Sequence, residues 1–159
     1  MSVHTLAALA LLAASAALAH ADDFPFAGKW KITGAVHAPW EDPAHPMVTD
    51  DEQRYDGKAV TITRNSIKGP DLLGCGKTEI TVETLPYASL FEGGLADDPK
   101  DPAGAYDEEK AKKLAAELGF TSEPVPTLYQ GCSEISLHLR DANTLLFGLN
   151  DRIFTMKRL

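Results

Sequence analysis

The densest gathering of reactive side chains is His37-Ala38-Pro39-Trp40-Glu41-Asp42-Pro43-Ala44-His45-Pro46, which brings two imidazoles, two carboxylates and an indole into ten residues. Asp50, Asp51 and Glu52 follow shortly after. Imidazole nitrogen and carboxylate oxygen suit zinc or copper. Three prolines stiffen the loop, however, and neither His-x-His nor His-x-x-x-His spacing is present, so His37 and His45 are weak metal candidates and a solvated acidic loop is expected. Nucleophilic chemistry finds less support. Ser66, Ser89, Ser122, Ser133 and Ser136 stand in no Gly-x-Ser-x-Gly elbow. His138 has the chemistry of a general base, yet strand alternation sets it opposite Ile135, Leu137 and Leu139, on a face expected to meet solvent. The acid pairs Asp97-Asp98 and Glu108-Glu109 fall in loop and helix-cap positions, where solvent and the helix dipole account for them. No catalytic residue, no cofactor and no enzymatic activity are expected.

The two cysteines, Cys75 and Cys132, each stand beside a glycine and far from one another. In an exported chain an even count of this kind reads as one disulfide. Export is what the N-terminus implies. Residues 1–21, MSVHTLAALALLAASAALAHA, contain no Asp, Glu, Lys or Arg and run through a Leu/Ala stretch to Ala19-His20-Ala21, the pattern of a secretory signal cleaved after Ala19 or Ala21. The apolar run is shorter than the roughly 20 residues that span a bilayer, so stable membrane insertion after cleavage is not expected. Removing 21 of the 159 residues leaves 138, enough for one domain over 22–159, in the periplasm or outside the cell. That mature chain carries the whole net charge of −8, which disfavours nucleic acid and anionic membrane as partners.

The elements that must position these groups are mainly strands. In Gly28–Val36, Trp30, Ile32 and Val36 alternate with Lys29, Lys31 and Thr33. Residues 38–57, rich in proline and acid, read as a long irregular connection. Ala59–Arg64 and Ile67 form a hairpin about Asn65-Ser66, and Thr78–Leu85, with Ile80 and Val82 on one face, is a third strand ended by Pro86. After an exposed loop at residues 97–104, Asp107 caps a helix over about 107–118. Its inner stripe is Ala111, Leu114, Ala115 and Leu118, and its C′ residue is Gly119. The last third is a meander, Glu134–Arg140, Thr144–Leu149 and Arg152–Arg158, with an Asn150-Asp151 turn that tolerates positive φ. Six or seven strands in antiparallel pairing, covered on one side, are expected.

The opening Phe26-Ala27-Gly28-Lys29-Trp30 resembles the Gly-x-Trp start of the first strand in lipocalins and other calycins. In that family a basic residue near the end of the last strand packs across the tryptophan and closes the barrel, a role the resemblance gives to Arg158. Phe154, Met156 and Arg158 share one face of their strand, as Trp30 and Ile32 do of theirs. The resemblance implies an antiparallel sheet or small lipocalin-like barrel with one helix, and no activity. Residues 85–95, Leu-Pro-Tyr-Ala-Ser-Leu-Phe-Glu-Gly-Gly-Leu, are unusually apolar for a connection. They are expected to pack under the domain. If exposed, Tyr87 and Phe91 would join Trp40 as contacts for a ligand or partner. The function expected is non-enzymatic binding of an unknown small ligand at the barrel mouth. The alternative is a periplasmic inhibitor or immunity-type protein acting on a cell-envelope enzyme; the weaker alternative is a metal-binding periplasmic protein.

Overall fold

The computed structural model describes residues 24–42, 44–97 and 107–159. The leader at residues 1–21, Pro43 and residues 98–104 of the expected loop lie outside the described residues. The described chain is mainly β. Its strands are β1 (Gly28–His37), β2 (Ala59–Thr63), β3 (Ser66–Lys68), β4 (Gly76–Lys77), β5 (Ile80–Leu85), β6 (Val125–Gln130), β7 (Ser136–Asp141), β8 (Thr144–Leu149) and β9 (Arg152–Arg158). Two α-helices, α1 (Asp51–Tyr55) and α2 (Glu108–Glu117), and two 3-10 segments, Asp71–Leu73 and Tyr87–Gly93, complete the order. Among the described residues no helix is long and apolar enough to cross a membrane.

All nine strands belong to one antiparallel sheet in the order β4-β3-β2-β1-β9-β8-β7-β6-β5, curled into a half-barrel. Every neighbouring pair is consecutive in the chain except β1 with β9. The two edge strands, β4 and β5, are themselves separated only by Thr78 and Glu79. Three residue steps reach at most about 10 Å, so the sheet must curl until its edges nearly meet at that corner. The disulfide sits there. Cys75 precedes β4, Cys132 follows β6, and their Cα atoms are 5.7 Å apart. Beside it the Gly131 amide donates to the Glu79 carbonyl at 3.0 Å, and the Gln130 side-chain amide donates to the Leu72 carbonyl at 3.3 Å.

The strand count exceeds the six or seven read from sequence because β4 is too short to show a period and Pro126 lies inside β6, paired opposite Thr84. The stretch 38–57 is not wholly irregular, since α1 breaks it. Val36 is a third correction. A bulge between Ile32 and Gly34 inserts one extra residue against β9, and Gly34 takes a φ of +142° that an L side chain rarely adopts. From there the parity inverts: Ala35 pairs with inward Phe154, while Val36 turns to the other face and is 52 % exposed. Val82 is likewise 42 % exposed, because β5 lies at the edge of the sheet, beyond the cover that protects β6 to β9.

Two apolar layers result. The inner face is filled by Phe26, Trp30, Ile32, Tyr55, Phe147, Phe154 and their neighbours. Phe147 and Phe154 stack at 5.0 Å between centroids, and Tyr55 from α1 meets both rings edge-on. The outer face of the C-terminal strands carries Val125, Leu146 and Ile153 beneath Leu90, Leu95, Ala111, Ala115 and Phe120. The sheet is therefore covered on both sides in this region, not on one. Asp107 caps α2 by accepting from the Lys110 amide at 2.9 Å, and Gly119 leaves the helix at φ +85°. Arg140 of β7 then donates to the Leu118 carbonyl at 3.1 Å, fastening the end of the helix to the sheet.

Trp30 and Arg158 are direct cross-strand partners. The guanidinium carbon of Arg158 lies 4.0 Å from the Trp30 ring centroid, and its three nitrogens donate to the carbonyls of Ala142, Ala27 and Pro25 at 2.8, 2.6 and 2.6 Å. Trp30 Nε1 donates to the Phe26 carbonyl at 2.9 Å. A Cβ on Gly28 would stand 2.7 Å from Arg158 Nη1, which explains the glycine two residues before the tryptophan. Arg158→Ala removes a stacked cation and three charge-assisted hydrogen bonds; we expect a loss of about 2–4 kcal/mol in urea unfolding and a changed Trp30 near-ultraviolet signal. Replacing both cysteines by serine releases a loop with sequence separation 57 and should cost about 4 kcal/mol in the same assay on the chain-entropy model.

Candidate functional site

The loop end of the half-barrel is organised by one turn. Asn150, at φ +52°, and Asp151 join β8 to β9, as their residue types foretell. Their backbone and side chains then gather what sequence leaves dispersed. The Asp151 carbonyl accepts from the Ala38 amide at 3.0 Å, the Asn150 carbonyl accepts from Trp40 Nε1 at 3.3 Å, and the Asn150 side-chain amide donates to buried Asp51 at 2.6 Å. Loop and α1 are thus held to the same two residues.

Arg152, next in sequence, reaches Glu52 at 2.8 Å, Glu41 at 3.4 Å and His37 Nδ1 at 2.9 Å. His37 also contacts the Glu41 carboxylate, and the one nitrogen can only donate to Glu41 or accept from Arg152 at a given time. Burial would raise the Glu41 pKa, but His37 and Arg152 together hold it below the ordinary carboxylate value. His45 pairs instead with Asp42 at 2.9 Å. His37 and His45 are not brought together. Among the described residues no group of three or more His, Cys, Asp and Glu side chains converges as a metal ion would require.

His138 is 1 % exposed, on the outer face of β7, and so does not meet solvent as alternation led us to expect. The reason is the Tyr87–Gly93 segment, which lies over it: Phe91 meets the imidazole edge-on at 4.5 Å. His138 Nε2 accepts from the Phe91 backbone amide at 3.1 Å and sits 3.2 Å from Ser136 Oγ. An amide can only donate, so Nε2 must be the acceptor and Nδ1 carries the hydrogen, which is given to Thr127 Oγ1 at 2.9 Å. Both nitrogens are occupied inside the protein. The segment it holds is strained, with Phe91 at φ 52° and Glu92 at φ 59° breaking the 3-10 geometry.

Between this segment, the β6–β7 turn and the Asn150 turn opens a cleft of about 480 Å³. Trp40, Leu72, Phe91, Ile135 and Leu149 form its apolar part, Glu92 and Glu134 its charged part, and the Cys132 end of the disulfide lies in its wall. Trp40 rests against Phe91 at 5.8 Å between centroids, and a Cβ on Gly94 would stand 2.5 Å from the indole. Of the three contact candidates, the fold brings Trp40 and Phe91 together and leaves Tyr87 apart. Tyr87 and Phe91 are both buried, at 8 % and 7 % exposure, and Tyr87 packs on Phe120 in the outer layer. Glu92 and Glu134 carry no signal of the cleft in the sequence, because nothing in their local pattern says that a turn and a kinked segment distant in the chain will face each other.

No family model, curated protein or solved structure matches the chain. What the cleft can do rests on its own chemistry.

Burial keeps His138 neutral and pushes its pKa down to about 3. Between about pH 6.5 and pH 3 the unfolded chain therefore takes up a proton that the native imidazole refuses, so this contribution to stability is complete above pH 6.5 and declines as pH falls. We expect wild type to lose roughly 3 kcal/mol more than His138→Gln between pH 7 and pH 4 in urea unfolding. Parallel stability curves for the two proteins would contradict that.

Proposed function

We propose that the protein is an exported, non-enzymatic binding protein of lipocalin-like build, working in the periplasm or outside the cell. On this reading it engages its partner through the open cleft at the loop end, as an inhibitor or immunity-type protein does, and does not carry a small ligand within the sheet. One observation carries the choice. The inner face, where a carrier would keep its ligand, is occupied by Phe26, Trp30, Tyr55, Phe147 and Phe154, each with no exposed surface. Outside it lies an open cleft of about 480 Å³, with the half-buried indole of Trp40 in its lining.

Four further features support the reading. Disulfide bonding at Cys75 and Cys132 fits an oxidising compartment. The Trp30 and Arg158 stack reproduces the contact that the lipocalin resemblance implies. Every element that borders the cleft is fixed by disulfide, buried hydrogen bond or glycine contact, and a preformed surface loses little entropy on binding. His138, the general-base candidate of the sequence, is shut beneath Phe91 and has no free nitrogen to offer a substrate.

The test uses the mature protein, recovered from the culture and checked by mass for an N-terminus at His20 or Asp22. Immobilised on beads, it should retain one envelope or extracellular protein in stoichiometric amount, and Trp40→Ala should weaken that complex by tenfold or more. Retention unchanged by Trp40→Ala, or stoichiometric loading with a small apolar molecule instead, would overturn the proposal.

A further inference from the structure

We infer that the cleft is built to accept a cationic side chain, an arginine or lysine on a protruding loop of the partner protein. The inference deepens the reading of the cleft as the partner site and rests on it.

The lining divides by chemistry. Half-buried Trp40 supplies aromatic surface, backed by the buried ring of Phe91; Ile135 and Leu149 supply an apolar wall, and Glu92 and Glu134 two carboxylates. No lysine, arginine or histidine is among the described residues that line it. Both carboxylates are exposed, and among the described residues neither is engaged in an ion pair or side-chain hydrogen bond. Three other carboxylates at this end of the molecule are matched by cations: Glu41 and Glu52 by Arg152, Asp50 by Arg54. The cleft therefore places uncompensated negative charge beside the Trp40 indole, on a protein whose net charge is −8.

An occupant complementary to such a lining has an apolar stem and a cationic head. Lysine and arginine have that form: the methylene stem lies along the aliphatic wall while the head meets the Trp40 indole and the carboxylates. A neutral apolar group would leave the carboxylates without a partner, and an acidic one would be repelled. The position of Glu92 carries added weight. Its backbone and that of Phe91 are held in the left-handed region by a segment pinned to buried His138, so the carboxylate at the rim is presented by fixed structure.

The probes are Nα-acetyl-arginine amide and Nα-acetyl-lysine amide, each compared with a neutral counterpart of similar shape, the citrulline and norleucine derivatives. Binding is followed by nuclear magnetic resonance on the full mature protein, reading the Trp40 indole N–H and the Gly148 and Glu134 amides. We expect millimolar binding of the cationic probes, at least fivefold tighter than of the neutral ones. The double variant E92Q/E134Q, altered only at exposed side chains, should erase that preference, and raised salt should weaken it. Equal binding of charged and neutral probes, a cationic preference that survives in E92Q/E134Q, or an absence of shifts at these three groups overturns the inference. None of these outcomes bears on the capture experiment with Trp40→Ala, which decides separately whether the cleft is the partner site.

Discussion

The pairing of β1 with β9 is the constraint on which the rest of the molecule depends. These are the first and last strands, yet they lie side by side in the middle of the sheet, so β2 to β4 extend from one and β8 to β5 from the other. Neither half has an inner neighbour until the chain ends meet. Closing so long a loop is entropically costly and must be offset by contacts made where the ends join. Trp30 and Arg158 make them, with an aromatic face under a guanidinium and three carbonyls around its nitrogens. A lysine could not match this: its single ammonium cannot stack flat on an indole while reaching three acceptors on different segments.

From that junction the sheet curls through nine strands, and its two edges return to one corner because only two residues separate β4 from β5. Covalent closure at Cys75 and Cys132 holds the corner and also fixes the β6–β7 turn that walls the cleft. The same bond therefore serves both fold and site. The inner face, once curled, has room for its own aromatic rings and is filled by them.

The outer layer places local cost against tertiary gain. Two non-glycine residues in the left-handed region cost on the order of 1–3 kcal/mol each, and a histidine is buried without charge. Burial of Leu90, Leu95 and Phe91 with the α2 alanines, together with the amide bond to His138, offsets that cost. The product is a rigid rim that holds Phe91 and Glu92 beside Trp40.

Much of the framework was legible because it is written in periods and turn chemistry. The strands β1, β2, β8 and β9, the capped helix α2 with its stripe and glycine exit, and the Asn150-Asp151 turn follow from alternation, from a 3.6 period and from residue types that accept positive φ. Where the period failed, local rules were overridden. The Gly34 bulge inverted the parity of Val36, Pro126 concealed β6, and the Tyr87–Gly93 segment turned the solvent face on which alternation put His138 into a buried one. The sequence by itself determined a mainly β chain, its helix, and the residue pairs able to join its ends. Only the tertiary structure decided that the inner face is full and that Trp40, Phe91, Glu92 and Glu134 share one cleft. Periodicity encodes which side of an element is apolar, whereas which apolar sides meet, and which charges are left unmatched between them, depends on contacts between segments far apart in the chain.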